Sequence, residues 1–209
     1  MTFIRRAFGV AVIRAPHLKR NLIWQAAIKE TTYVYHSLRW QLEKQGFKLI
    51  GAVIDGKPGL INAFGDIPVQ MCQFHQIAII TRYLTTRPKL LASQELRKLT
   101  MTLSQIDEYD FELGLKAWYE RRQLFLKEKT LNPETKRWFY THKRLRSAHR
   151  SLKNNLGLLF TYQRYPELNL PNTTNSLDGT FSHLKNMLGI HRGLKAKRKL
   201  KLIAELLPK

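Results

Sequence analysis

One cysteine, Cys72, stands in 209 residues, which excludes a disulfide framework within the chain. Carboxylates are scarce: 15 Asp and Glu face 36 Lys and Arg, and none of the 15 precedes Glu30. No apolar run is long enough to cross a bilayer. Arg5 and Arg6 stand near the start, but Arg14, His17, Lys19 and Arg20 interrupt the apolar stretch that a secretion signal requires. Low-complexity linkers and internal repeats are missing too. What is present suits a folded protein: 44% hydrophobic and 11% aromatic residues, enough to bury a core in one domain with room for an inserted subdomain. These absences make the cytoplasm the default location.

A formal charge of +21 is the dominant global feature. Self-repulsion on that scale is tolerated when a polyanion neutralises it, so nucleic acid is the first candidate partner and an anionic membrane surface the second. The excess is uneven. From Lys136 onward, sixteen Lys and Arg face three carboxylates. Lys195, Lys197, Arg198 and Lys199, with Lys185 and Arg192 upstream, are the candidate phosphate contacts. The alternative for the final run is a solvated helix face or tail.

Periodicity gives a coarse element order. Residues 8–14 and 21–30 form a strand pair around Pro16. Thr31 and Thr32 offer an N-cap to a helix that runs to Lys44 and ends at Gly46. Leu49 to Ile54 is a nearly unbroken apolar run, predicting a strand covered on both faces. A short helix at 60–64, a strand at 69–75 and a helix at 76–84 follow. Residues 88–128 are predicted helical, and 132–164 continue helical and turn basic. An extended segment at 166–172 leads to a last helix capped by Thr173, Thr174 and Asn175, with Leu177, Phe181, Leu184 and Leu188 as its apolar stripe. The expectation is a mixed α/β sheet with a helical insertion. Its parts are a core at 1–87, an insertion at 88–165, a final core helix at 166–194 and a basic tail at 195–209.

Two carboxylates occupy positions that chemistry can use. Asp55 ends the apolar strand, at the rim where α/β folds build sites, with Gly56 permitting a sharp turn. Asp178 lies on the first turn of the last helix. Each also has a plainer explanation: an Asp-Gly turn for the first, and an acid favoured by the helix dipole for the second. Converging acids of this kind hold the metal ions of phosphodiester cleavage, and Mg²⁺ takes oxygen ligands.

The motifs VIDGKPGL, PVQMCQFHQ and PNTTNSLDGTFSHLKNMLGIHRGL resemble the catalytic domain of bacterial mutator-like insertion-sequence transposases, in the branch that carries an N-terminal zinc-binding region. The similarity runs from Phe8 to about Leu194. It implies an RNase H-like fold of the retroviral-integrase kind, three acids, two Mg²⁺ (or Mn²⁺) ions, DNA as substrate and target, and a homo-oligomer when full length. By that resemblance Asp55 is the second catalytic acid and Asp178 the third, where the family commonly has Glu. Cys72 and His75 match the family's Cys-x-x-His element. Two ligands fall short of a structural zinc site, which would have to recruit His142, His149 or His183, so a structural role is expected for both. Laid against the family pattern, the first acid would fall immediately before Met1. The expectation is therefore a fragment with a truncated opening strand and an incomplete metal site, binding DNA without cutting it. The alternative is a non-catalytic basic DNA-binding protein or inhibitor derived from a transposase. A weaker alternative is RNA binding through Trp138, Phe139 and Tyr140 beside Lys136 and Arg137.

Overall fold

Eight-residue strands at Phe8–Ala15 and Arg20–Ala27 pair antiparallel around a turn in which the Lys19 amide donates to the Pro16 carbonyl, as the sequence predicts. The structure, a computed structural model, describes residues 1–4 and 8–207. Arg5, Arg6 and Ala7, and Pro208 and Lys209 of the expected tail, lie outside the described residues. In chain order the strands are β1 (Thr2–Ile4), β2 (Phe8–Ala15), β3 (Arg20–Ala27), β4 (Ala52–Ile54), β5 (Val69–Met71), β6 (Lys129–Leu131) and β7 (Trp138–Tyr140). The helices are α1 (Thr32–Lys44), α2 (Gln73–Leu84), α3 (Leu91–Met101), α4 (Glu108–Lys127), α5 (Lys143–Leu159), α6 (Thr161–Arg164), α7 (Asn175–Ile190) and α8 (Ala196–Leu206). No described helix is long and apolar enough to cross a membrane. Mixed α/β is thus the class, but its strands form three small sheets among the described residues.

Contacts divide the chain into two units, 1–69 with 174–209 and 70–173. In the first, the sheet has the order β1-β2-β3 with both pairings antiparallel, so an opening strand is present as three residues at the sheet edge. Alternation sorts the side chains. Val10, Val12 and Trp24 join Phe181, Leu184 and Leu188 of α7 and Ile203 and Leu207 in one apolar cluster. Helix α1 runs against β2 and β3. It ends as its sequence dictates: Gly46 takes a positive φ of 84°, and the Phe47 and Gly46 amides close on the carbonyls of Leu42 and Glu43. Its start differs. Thr31 is the N-cap residue but makes no side-chain cap, and the Thr32 hydroxyl donates instead to the Gly59 carbonyl at 3.1 Å. The predicted doubly covered strand at 49–54 shrinks to the three residues of β4, half-buried, with Ile50 54% exposed. The Ala52 amide at its start donates to the Pro68 carbonyl at 3.0 Å. The expected basic tail is helical through Leu206, because Leu202, Ile203, Leu206 and Leu207 give it an apolar face that packs into the cluster of α7.

The second unit is helical around a core that includes Leu96, Phe111, Trp118, Leu152 and Phe160. Helices α3 and α4 fall where periodicity predicts them. Asp107 caps α4 by accepting from the Asp110 amide at 2.8 Å, and the Trp118 indole donates to the Ala92 carbonyl. Three expectations are corrected here. Residues 129–140 form a β-hairpin rather than a helix, turned by Asn132, whose side chain accepts from the amides of Glu134 and Thr135. The strand expected at 69–75 stops at Met71, and α2 begins at Gln73, so His75 is helical. The segment expected to be extended at 166–172 opens with a 3₁₀ turn at Pro166–Leu168.

Candidate functional site

Asp55 follows the last residue of β4, and Gly56 then takes a φ of 79° that an L side chain resists. The turn is local and firm: Asp55 Oδ1 accepts from the Lys57 amide at 3.1 Å. It is also tied at a distance. Lys57 Nζ donates to Glu30 Oε2 at 2.8 Å and to the Glu30 carbonyl at 3.1 Å, and the Tyr35 hydroxyl donates to Glu30 Oε1 at 2.6 Å. The Met1 amino group lies 3.2 Å from the same carboxylate. Burial alone would lift the Glu30 carboxyl; the bonds from Lys57 and Tyr35 and the Met1 charge outweigh it and hold the group below its ordinary range. Burial, the bond to Glu30 and the negative charges of Glu30 and Asp55 push the Tyr35 hydroxyl far up. Lys57 is thus committed to Glu30, and together with the Thr32–Gly59 bond it clamps both ends of the turn that presents Asp55.

Asp178 lies in the first turn of α7, half-buried, with Oδ2 accepting from the Thr174 hydroxyl at 3.0 Å. The start of α7 is fixed to the hairpin by Arg14, whose Nε donates to Ser176 Oγ at 2.7 Å while its other nitrogens reach Asn21 and the Lys19 carbonyl. Ser182 and Lys185, four and seven residues further along α7, are exposed. Asp55 and Asp178 belong to the same unit, although no hydrogen bond or ion pair joins them. Each keeps one oxygen without a hydrogen-bond partner among the described residues. No group of three His, Cys, Asp or Glu able to hold a metal occurs among the described residues. Asp55 and Asp178 are both carboxylates, the ligand type Mg²⁺ takes, and that ion binds through one or two of them together with substrate phosphates.

Cys72 is fully buried at the start of α2, and His75 is half-buried on that helix with its ring edge-on to Phe74. The histidines that a zinc site would recruit are otherwise engaged or exposed. His142 stacks on Phe125 and bonds Glu128, His149 stacks on Tyr119, and His183 faces solvent. The glutamines of the same motif escaped the sequence reasoning. Gln70, Gln73 and Gln76 are 0%, 1% and 0% exposed. Gln70 Nε2 donates to the carbonyls of Met71 and Leu159, and its Oε1 accepts from the Tyr162 amide. Gln73 donates to Leu159 and accepts from Asn172, and Gln76 pairs with Ser151 and Asn155. Their spacing of three was the available signal, since it puts Gln73 and Gln76 on one face of α2.

The candidate phosphate contacts cluster toward α8. Lys185, Arg192, Lys195, Lys197 and Arg198 are exposed and Lys199 is half-buried. None pairs with a carboxylate among the described residues. Arg192 Nε donates to the Gly189 carbonyl at the end of α7, where a cation suits the dipole. The start of α8 is the opposite case. It has no acid in its first turn and crowds Lys195, Lys197, Arg198 and Lys199 against the positive helix end. That arrangement costs helix stability and suits an incoming anion.

Comparison with known protein families, with curated proteins and with solved structures gives no match to this chain.

Proposed function

We propose that this chain carries the catalytic fold of a metal-dependent DNA transposase, an RNase H-like domain in which Asp55 and Asp178 are two of the metal-facing acids. The observation that carries this reading is the return of the chain: the strand bearing Asp55 and the helix bearing Asp178 belong to one unit, and the helical residues 70–173 between them form another. An antiparallel three-stranded sheet followed by a helix and then by the Asp55 strand supports it. So do the unpaired cations of α7 and α8, which suit DNA phosphates. Mg²⁺ or Mn²⁺ would be held by Asp55 and Asp178, and when bound it supplies charge stabilisation at the phosphoryl oxygens. The protein's own part is to fix both carboxylates, Asp55 through the Lys57–Glu30 clamp and Asp178 through Thr174.

Two acids are one fewer than a three-acid site uses, and the chain alone is expected to bind DNA without cutting it. That makes a non-catalytic DNA-binding role the second reading, favoured by the exposed Lys and Arg of α7 and α8 that no carboxylate pairs among the described residues. The test combines duplex binding with nicking of supercoiled plasmid in Mg²⁺ and in Mn²⁺. Salt-sensitive duplex binding is expected, and replacing Lys197, Arg198 and Lys199 by Gln should reduce its log–log slope by about 3. Nicking by the purified chain that disappears in Asp55→Ala would overturn the non-cutting part. Duplex binding indifferent to salt would overturn both readings.

A further inference from the structure

Helices α4 and α5 and strand β7 contribute the walls of a groove of about 730 Å³ within the helical unit. Its walls are cationic. Lys116 comes from α4, and Lys143, Arg146, Arg150 and Lys153 come from α5. The last four recur at steps of three and four residues, which makes one positive stripe along a single helix face. Like charges so spaced oppose helix formation, so the stripe gives α5 no local benefit. None of the five pairs with a carboxylate among the described residues, and Glu112, the acid on the wall, makes no ion pair either. Uncompensated cations on the walls of a cleft focus a positive potential inside it.

The groove is also aromatic and stiff. Tyr119, 39% exposed, stacks on His149 with ring centroids 4.8 Å apart and 13° between planes. The Arg146 guanidinium lies 3.6 Å over the Tyr140 ring and donates to the Leu126 carbonyl at 2.7 Å. Cations that follow a backbone, interleaved with fixed aromatic faces, are the chemistry that holds single-stranded nucleic acid. A duplex carries its phosphates on a convex cylinder and cannot enter a cleft between two helices, whereas one strand can. An anionic membrane is flat and offers nothing for the rings to stack on.

We propose that this groove binds single-stranded DNA. The choice of DNA over RNA rests on the function proposed above; the choice of a single strand rests on the groove alone. The experiment is fluorescence anisotropy with a short labelled oligothymidine, its RNA counterpart and a duplex, using the full chain and a variant with Lys116→Gln, Arg150→Gln and Lys153→Gln. Single-strand affinity should fall at least about tenfold and its salt slope flatten by about 2, while duplex affinity changes by less than about twofold. An unchanged single-strand affinity, or an equal loss on the duplex, overturns the groove. RNA bound more tightly than DNA overturns the choice of strand. Wild-type protein that binds the single strand but no duplex keeps the groove and overturns the DNA-binding surface proposed for α7 and α8. Should the variant fail to fold, photocrosslinking of wild type to an iododeoxyuridine strand decides: adducts at Tyr119 or Tyr140 support the groove, and adducts confined elsewhere overturn it.

Discussion

Replacing Gln70 by Leu tests whether the buried glutamines hold the helical unit together. Leu keeps much of the volume and removes both polar ends. The Tyr162 amide, in the first turn of α6, then loses its acceptor, and the carbonyl of Met71 loses a donor. Leu159 is spared, because Gln73 still donates to its carbonyl. A buried group left without a partner costs about 1–3 kcal/mol, and a lost helix-start acceptor costs about 1 kcal/mol. The expected loss is therefore about 2–4 kcal/mol, a large share of the roughly 5–15 kcal/mol that stabilises a domain. Gln76→Leu is the internal comparison. Its partners Ser151 and Asn155 are half-buried and can turn to solvent, so about 1 kcal/mol is expected. Urea denaturation followed by far-ultraviolet circular dichroism measures both. Equal losses in the two variants, or a Gln70→Leu loss under about 0.5 kcal/mol, would refute the argument that burial without a substitute partner sets the cost.

Three further outcomes are expected. Leu184→Ala empties a 1%-exposed position that joins α7 to the sheet and should cost about 2–5 kcal/mol in chemical denaturation, whereas Lys185→Ala on the exposed face should stay within about 0.5 kcal/mol. Glu30 is held low in the folded state, so its stabilisation is present above the ordinary carboxylate range and is lost as pH falls through the lowered value. Lys57→Met removes the main lowering bond and should move acid unfolding to higher pH in a pH-jump melt. His149 is held low by burial, with Lys153 and Arg146 adding to it, so the unfolded chain binds a proton there first. Stability should be full above the ordinary histidine value and fall as pH drops below it, and His149→Phe should shrink the difference in Tm between pH 7.5 and pH 5.5.

Local chemistry was legible in the sequence wherever one residue type decides the backbone. Gly46 ends α1 and Pro16 turns the first hairpin. The stripe of α7 was legible because 3.6-residue spacing is a strong signal over about three turns. The hairpin of β6 and β7 was not. Trp138, Phe139 and Tyr140 follow Lys136 and Arg137 and pass for one face of a basic helix, although Asn132-Pro133 carried turn chemistry. Those aromatics are no part of a core: Trp138 is 65% exposed, and Lys143 lies over the Phe139 ring. Of the candidate site, the carboxylates and cations were legible as residue types. The Lys57–Glu30 clamp was not, because its partners are 27 residues apart and no local pattern links them. The glutamine ladder was hidden for a different reason: a buried amide looks exposed to any pattern that equates polar with surface.

The choice of buried polar groups follows from the charge. At +21, the chain has more cations than its carboxylates can pair, and of the described Lys and Arg side chains only Arg39, Lys57, Arg122 and Arg164 have a carboxylate partner. Pairing buried Lys or Arg with the few acids available would leave charges stranded whenever a partner is lost, at several kcal/mol each. Neutral glutamines avoid that hazard. They satisfy carbonyls and amides in both directions and add nothing to the self-repulsion. The positive charge is left at the surface, where water screens it and a bound polyanion would relieve it. Each unit has one strongly basic helix with an apolar face in the core, α8 in one and α5 in the other. The core thus holds in place cations that repel one another, and the strain of that arrangement is what an anionic strand would release on binding.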